Sequence, residues 1–302
     1  MPASPARRDA APVALLLFSS TLWGLTWWPL KRFAEAGLSG PVLAMLAYGG
    51  VGLLGLVLLW RQRAAWRADA GLLLLLGAVG GWANASFVHA LVIGDVVRVM
   101  LLFYLAPVWG VIGGRLFLGE AVRPRRALAA GVALLGLWLV IGGARAFDTP
   151  LSVADWLALS AGLGFTGNNI AARAAQRVPV GSKSVAVFAG CALVSAGFVL
   201  FEGRPWPDLS TPVIAGLLGY GFVWLLLSTV TWQYGVTRLE AGRAGVITVA
   251  ELVVAVLSAA WFGGAHMSAP EWFGGALITA AALLEATDAS GGHAPTPAAA
   301  RS

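Results

Sequence analysis

The sequence predicts an all-α integral membrane protein whose ten transmembrane helices form two inverted five-helix repeats. Three observations carry that prediction. The chain is 59% hydrophobic and only 11% charged over 302 residues, against roughly a quarter charged in ordinary globular proteins. It contains ten apolar runs close to the 20 or so residues that cross a bilayer, separated by connections too short to hold a soluble domain. The runs fall into two sets of five, and an odd number of crossings forces the second set upside down relative to the first.

In chain order the runs lie at 12–30, 42–60, 71–91, 96–118, 126–144, 155–175, 184–202, 212–236, 244–264 and 271–287. The first repeat is therefore 12–144 and the second 155–287. The head, 1–11, and the tail, 288–302, are rich in Pro, Ala and Gly and are predicted to be disordered. Arg7-Arg8 resembles a twin-arginine export signal, but the run that follows is full length and lacks a convincing cleavage site, so it reads as an uncleaved first helix.

Lys and Arg concentrate on the cytoplasmic side of membrane proteins. Fourteen of them, running from Arg7 and Arg8 through Arg61, Arg123, Arg177 and Arg238 to Arg301, fall on one side, while five (Lys31, Arg32, Arg98, Arg145 and Arg204) fall on the other. Ten crossings then place both termini in the cytoplasm, with the protein in the cell inner membrane. The net charge of +6 reports this orientation and not nucleic-acid binding. The single cysteine, Cys191, lies in an apolar run and can form neither an intrachain disulfide nor a thiolate metal cluster. No cofactor is expected.

The fourth span organises the chain. In Tyr104–Arg126, Pro107 interrupts an apolar helix, Gly110 and Gly114 have the spacing that lets helices approach closely, and Gly119-Glu120 leads into a basic turn. Pro107, like Pro29, breaks backbone hydrogen bonding and is the expected hinge. An offset of 145 lays 104–121 over 249–266 and matches Gly119 to Gly264.

The Leu22-Trp23-Gly24 step, the Pro107–Glu120 stretch and the 5+5 layout together resemble the drug/metabolite transporter superfamily, EamA type, over roughly residues 12–287. The second copy departs from the family pattern: Leu252 stands where proline is usual, Ala265 replaces the glutamate of the Gly-Glu pair, and Thr166-Gly167 is the nearest counterpart of Trp23-Gly24. The resemblance implies a secondary transporter that moves a small organic metabolite or drug-like solute outward by alternating access. Aromatic and neutral amino-acid exporters of the family have a segment comparable with Tyr104-Leu105-Ala106-Pro107, which makes amino acids and aromatic compounds candidate solutes.

An ionisable group in hydrocarbon costs at least about 2.5–3.5 kcal/mol, so Glu251 in the ninth span calls for a reason. It shares a helical face with Thr248 and Ser258. It can exchange a proton, pair with a cationic solute, or simply lock two helices, with Arg115 of the fourth span as its partner. Arg98, in the first turn of the fourth span, presents a guanidinium fork suited to a carboxylate; its structural alternatives are snorkelling or a pair with Asp95. His89, on a face with Trp82 and Ser86, is either a pH-sensitive gate or a satisfied interhelical histidine.

Two stripes complete the candidate cavity. In the eighth span Trp224, Ser228, Thr231 and Gly235 recur at three- and four-residue steps, flanked by Trp232 and Tyr234. In the first span Ser20, Trp23, Gly24 and Trp27 share a face, with Trp28 pointing away. Asn169, on a face with Phe165, ranks ahead of Asn168 and Asn84. An aromatic wall of this kind accepts flat or apolar solutes and, by cation–π attraction, cationic ones; ordinary helix packing is the alternative. Gly77 and Gly81 repeat the close-packing spacing.

Other classes fit less well. An intramembrane enzyme would need an HExxH, a GxSxG or paired intramembrane aspartates, none of which the sequence contains, and His89, His266 and His293 are too scattered for a metal site. No GxxxxGK[ST] supports ATP-driven pumping. A channel or inert scaffold would tolerate loss of Glu251 and Trp232. The expected partners are a small-molecule solute and the lipid bilayer, with no nucleic acid; monomer and homodimer both stay open.

Overall fold

Every regular element that a computed structural model of the chain contains is a helix, over the residues it describes: 10–105, 108–109, 112, 124–142, 150–203, 205–236, 238–239, 246–264 and 267–290. In order these are α1 (Ala10–Gly24), α2 (Trp27–Glu35), α3 (Gly40–Arg61), α4 (Ala70–Ile93), α5 (Val96–Phe103), α6 (Pro124–Val140), α7 (Val153–Ala174), α8 (Val180–Glu202), α9 (Thr211–Gly219), a π-helical turn (Tyr220–Leu225), α10 (Leu226–Val236), α11 (Ala250–Phe262) and α12 (Ala269–Ser290). Short helical turns at Arg63–Trp66 and Arg67–Asp69 lead into α4.

Among the described residues, five stretches are long and apolar enough to cross a membrane: Ala11–Glu35, Gly40–Arg61, Arg63–Ile93, Val180–Glu202 and Thr211–Val236. Shorter apolar helices run over Ala127–Val140, Val246–Phe262 and Ala269–Leu284. The expected sixth span is α7, which carries the polar Asn168 and Asn169. Of the expected fourth span only α5 and a few following residues are described; Pro107, Gly110, Gly114, Arg115 and Glu120 lie outside the described residues. Leu53, Leu54, Leu74, Leu193, Leu200 and Phe201 all face outward. So much exposed aliphatic surface is stable only with lipid as the solvent, and the protein is a multi-pass membrane protein.

Sequence explains the interruptions. Pro29 has no N–H for the carbonyl of Leu25 and its ring crowds that group, so the first span breaks at Leu25-Thr26; the Leu25 carbonyl instead accepts from the Trp28 N–H at 3.0 Å. The chain likewise leaves the helix at Tyr104 and Leu105, where Pro107 offers no N–H to Phe103. The π-helical turn in the eighth span lies opposite the first of these breaks, and the hydroxyls of Tyr220 and Thr26 are 3.2 Å apart.

The helices pair across the two halves. By span, the third packs on the sixth and seventh, the second on the seventh, the fifth on the tenth, the eighth and ninth on the first, and the fourth on the sixth and ninth. Glycine makes the closest crossings possible. A Cβ at Gly81 would run into the backbone of Gly190 and Cys191, and one at Gly190 into Gly77, so the Gly77/Gly81 spacing serves as a packing face between α4 and α8. At the crossing of α6 and α12, a Cβ on Gly136 would lie 2.7 Å from the Gly274 carbonyl. The main core cluster joins Trp27, Leu43, Tyr48, Val99, Leu101, Leu252 and Ala255 from both halves.

Candidate functional site

The groups with chemical capacity gather where the first, fourth and ninth spans meet. Glu251, in the first turn of α11, is only 8% exposed. Its carboxyl is hydrogen-bonded by the side chain of Tyr104, which sits just past the end of α5. The Trp23-Gly24 step is what lets the first span reach this point: a Cβ on Gly24 would stand 2.6 Å from the Glu251 carbonyl and 2.9 Å from Val254. Three residues further on, the Trp27 indole N–H donates to the Ser258 hydroxyl at 2.9 Å, and Trp27 is 5% exposed. Glu251 and Ser258, expected on one face, both point inward.

An aromatic wall adjoins the carboxyl. Phe103 lies 5.5 Å from Tyr104, 4.6 Å from Phe87 and 5.5 Å from Phe165, centroid to centroid. These spacings are those of offset and edge-to-face ring pairs. The wall draws on the third, fourth and sixth spans. Sequence reading missed Phe87 and Phe103 because Phe is an ordinary core residue; Phe103 carried a local signal in adjoining the aromatic-Leu-x-Pro segment, and Phe87, on another span, carried none.

The other candidates divide between packing and the two membrane faces. Ser228 is fully buried and its carbonyl accepts from the Ser19 hydroxyl at 2.7 Å, while a Cβ on Gly235 would meet Leu16. Thr231 is 7% exposed and its hydroxyl donates to the Leu227 carbonyl at 2.7 Å. That half of the eighth-span stripe is thus a contact face against the first span. Trp232 packs against Leu16 and Leu239, and the Arg238 guanidinium lies over the Tyr234 ring at 3.8 Å. The Trp224 indole N–H is buried with no hydrogen-bond partner. Trp23 is half-buried and Trp28 is exposed, with Arg32 over its ring at 5.8 Å.

Asn169 is exposed, whereas Asn168 carries a buried Oδ1 without a donor, directed at the α4 crossing where a Cβ on Gly80 would meet it. Tight approach of the sixth span to the fourth falls to Gly162, whose Cβ would lie 2.6 Å from the Phe103 carbonyl; at Gly167 the nearest atom is 3.8 Å away.

Arg98 is committed. Its guanidinium forks onto Asp155, with Nε to Oδ1 at 2.6 Å and Nη2 to Oδ2 at 3.0 Å, and Nη1 reaches the Val140 carbonyl at 3.4 Å. Asp95, the partner expected from sequence, instead accepts from the backbone N–H of Arg98 and caps α5. The reason is reach: Asp155, at the third position of α7, is itself fixed by a capping box with Ser152, which gives the fork a rigid acceptor. His89 lies 3.4 Å from the Glu202 carboxylate. Pro107, the expected hinge, lies outside the described residues. Among the described residues no cluster of His, Cys, Asp and Glu is arranged to hold a metal ion.

A buried carboxyl faced by a phenol and an aromatic wall, inside a lipid-exposed helix bundle, is the setting of a membrane transport protein. The EamA-like transporter family model matches the chain twice, at residues 11–142 and 152–286, and the chain belongs to that family. The aromatic amino acid exporter YddG of Ancylobacter novellus is 30% identical over 210 residues, which cover 68% of this chain and 72% of that protein. A crystal structure of 22% sequence identity superposes with a TM-score of 0.56, covering 90% of this chain and 96% of the other. The fold is shared with it.

Proposed function

We propose that the protein is a secondary carrier that exports a small organic solute with an aromatic or apolar body across the inner membrane. Aromatic amino acids are the first class to test, given the similarity to the aromatic amino acid exporter. Solute binding centres on Glu251 and Tyr104, with Phe103, Phe165 and Trp27 as walls, and transport proceeds by alternating access between two inverted five-helix repeats, 12–144 and 155–287. The observation that carries this reading is the carboxyl of Glu251, held 8% exposed within the bundle by a phenol from another span. A carboxyl placed there engages the ammonium of a solute or a proton, and Tyr104 is a partner that it can exchange. The span pairing supports an internal repeat of five spans, whose odd number implies inversion. Third on sixth answers eighth on first, fourth on sixth answers ninth on first, and second–seventh, fourth–ninth and fifth–tenth each pair a span with its own counterpart.

The test is counterflow of radiolabelled phenylalanine, tyrosine and tryptophan into proteoliposomes. Wild type should exchange at least one of them, and Glu251→Gln should exchange it at roughly a tenth of the rate or less, since hydrogen bonds to charged groups contribute about 1.5–3 kcal/mol. Full activity in the variant would reduce Glu251 to a helix lock. No specific exchange of any small organic solute would sink the carrier reading and favour an inert scaffold.

A further inference from the structure

A strongly basic patch lies away from Glu251, at the membrane face where two connections run side by side. One joins the second span to the third through the helical turns Arg63–Trp66 and Arg67–Asp69. It folds back tightly, with the Trp66 indole N–H donating to the Leu59 carbonyl at 2.8 Å. The other joins the sixth span to the seventh. The Ser182 hydroxyl donates to Gln62 Oε1 at 2.7 Å, and Val178 shares a core cluster with Leu59 and Trp66. Arg177, next to Val178, therefore stands beside the turn that carries Arg61 and Arg67.

The charge of this patch is uncompensated. Arg61, Arg67 and Arg177 are exposed, and among the described residues no carboxylate pairs with any of them. Lys183 and Arg63, at the same face, are held by other groups. Lys183 Nζ donates to the Ala172 carbonyl at 2.8 Å. The Arg63 guanidinium lies 4.3 Å over the Trp60 ring while its Nη1 donates to the Trp60 carbonyl at 3.1 Å, which pins the indole at the margin of the patch. Trp60 is 65% exposed, and Leu54 and Val57, earlier on the same helix, also face outward. These features match the parts of an anionic phospholipid: guanidinium forks suit a phosphate, an indole sits at headgroup depth, and the aliphatic flank borders acyl chains.

We propose that this patch is a binding site for the headgroup of an anionic phospholipid, with Arg61, Arg67 and Arg177 receiving the phosphate and Trp60 lying against the glycerol and upper acyl chain. A lipid held there bridges the second–third connection to the sixth–seventh connection, and so ties the two halves of the chain together at this face. In the proposed orientation this is the cytoplasmic face, where anionic lipid attracts basic residues beside the spans. The inference rests on the chain being a multi-pass membrane protein and not on the carrier reading, so either can fail alone.

The experiment follows the unfolding temperature of the purified full chain, stripped of lipid in a neutral detergent, during titration with dioctanoyl phosphatidylglycerol. A ligand of the native state raises that temperature by mass action. Dioctanoyl phosphatidylcholine and inorganic phosphate are titrated in parallel. Phosphatidylglycerol should raise the unfolding temperature saturably, and the other two should not. Arg61→Gln, Arg67→Gln and Arg177→Gln should each move the midpoint to roughly fivefold higher lipid concentration. Arg238→Gln removes a charge that stacks on Tyr234 at the end of the eighth span and should leave the midpoint in place. No stabilisation by phosphatidylglycerol, or equal stabilisation by phosphatidylcholine, overturns the proposal. Equal stabilisation by inorganic phosphate reveals an anion site with no need of a lipid and overturns it too. So does a midpoint that the three patch variants leave unchanged, or that Arg238→Gln moves as far as they do, which is the behaviour of a diffusely basic face. Should one of the three not fold, the other two decide.

Discussion

At the scale of single residues, Tyr104 and Glu251 separate a binding role from a packing role. Tyr104→Phe keeps the ring against Phe103 and deletes only the hydroxyl, so the aromatic wall survives while the carboxyl loses its partner. Exchange of the aromatic solute should change by roughly two- to tenfold with thermal stability within a few degrees, since a hydrogen bond contributes about 0.5–1.5 kcal/mol net. A large loss of stability with unchanged exchange would make the pair a structural lock. Gly81 gives the opposite profile. A methyl there lands on the backbone of Gly190 and Cys191, which cannot rotate away, so Gly81→Ala should cost at least about 1–3 kcal/mol, read as a lowered unfolding temperature in detergent. The sequence already pointed to both residues, for different reasons. Gly77 and Gly81 follow a spacing rule that holds wherever helices touch, whereas Glu251 stood out because charge in hydrocarbon is expensive. What it could not supply was the partner: Tyr104 is distant in the chain, and only the crossing of the fourth and ninth spans brings the two together.

At the scale of elements, the Arg98–Asp155 fork ties the start of α5 to the start of α7, and through Val140 to the end of α6. It joins the first half of the chain to the second. Asp155 is 4% exposed in its side chain and Arg98 is 29% exposed, so Asp155→Asn leaves a partly buried guanidinium without its counter-charge and should cost up to about 3–5 kcal/mol. The double variant Arg98→Met with Asp155→Leu should recover much of that loss, because replacing both members of a buried pair by apolar groups is often neutral. Thermal unfolding of the three proteins checks this; a double variant no better than Asp155→Asn would show that the fork contributes more than charge balance. Sequence periodicity located these helices to within a few residues but not their rotation. The Ser228–Thr231–Gly235 stripe illustrates the limit: its spacing is that of a cavity wall and of a packing face alike, and the Ser19 and Leu16 contacts put it against the first span. The break at Leu25-Thr26 was legible because Pro29 dictates it locally, while the π-helical turn at Tyr220–Leu225 has no proline to announce it.

At the scale of the whole molecule, the proposed inversion of the two repeats makes a prediction that parity alone decides. Ala36 follows the first span and Ala174 ends the sixth, so each marks the end of the first span of its proposed repeat. In inverted repeats they must lie on opposite sides of the membrane, and in parallel repeats on the same side. In the proposed orientation, argued from the excess of Lys and Arg, Ala36 lies outside and Ala174 inside. Both are exposed, as are Asp208 after the seventh span and Ala64 after the second, and Cys191, the chain's single cysteine, is fully buried. Cysteines at these four positions can therefore be labelled one at a time with a membrane-impermeant maleimide in intact cells and again after permeabilisation. Ala36→Cys and Asp208→Cys should label in intact cells, and Ala64→Cys and Ala174→Cys only after permeabilisation. Labelling of Ala36→Cys and Ala174→Cys from the same side would rule out inversion whatever the overall orientation. Opposite labelling with the signs exchanged would keep the inverted repeat and place both termini outside.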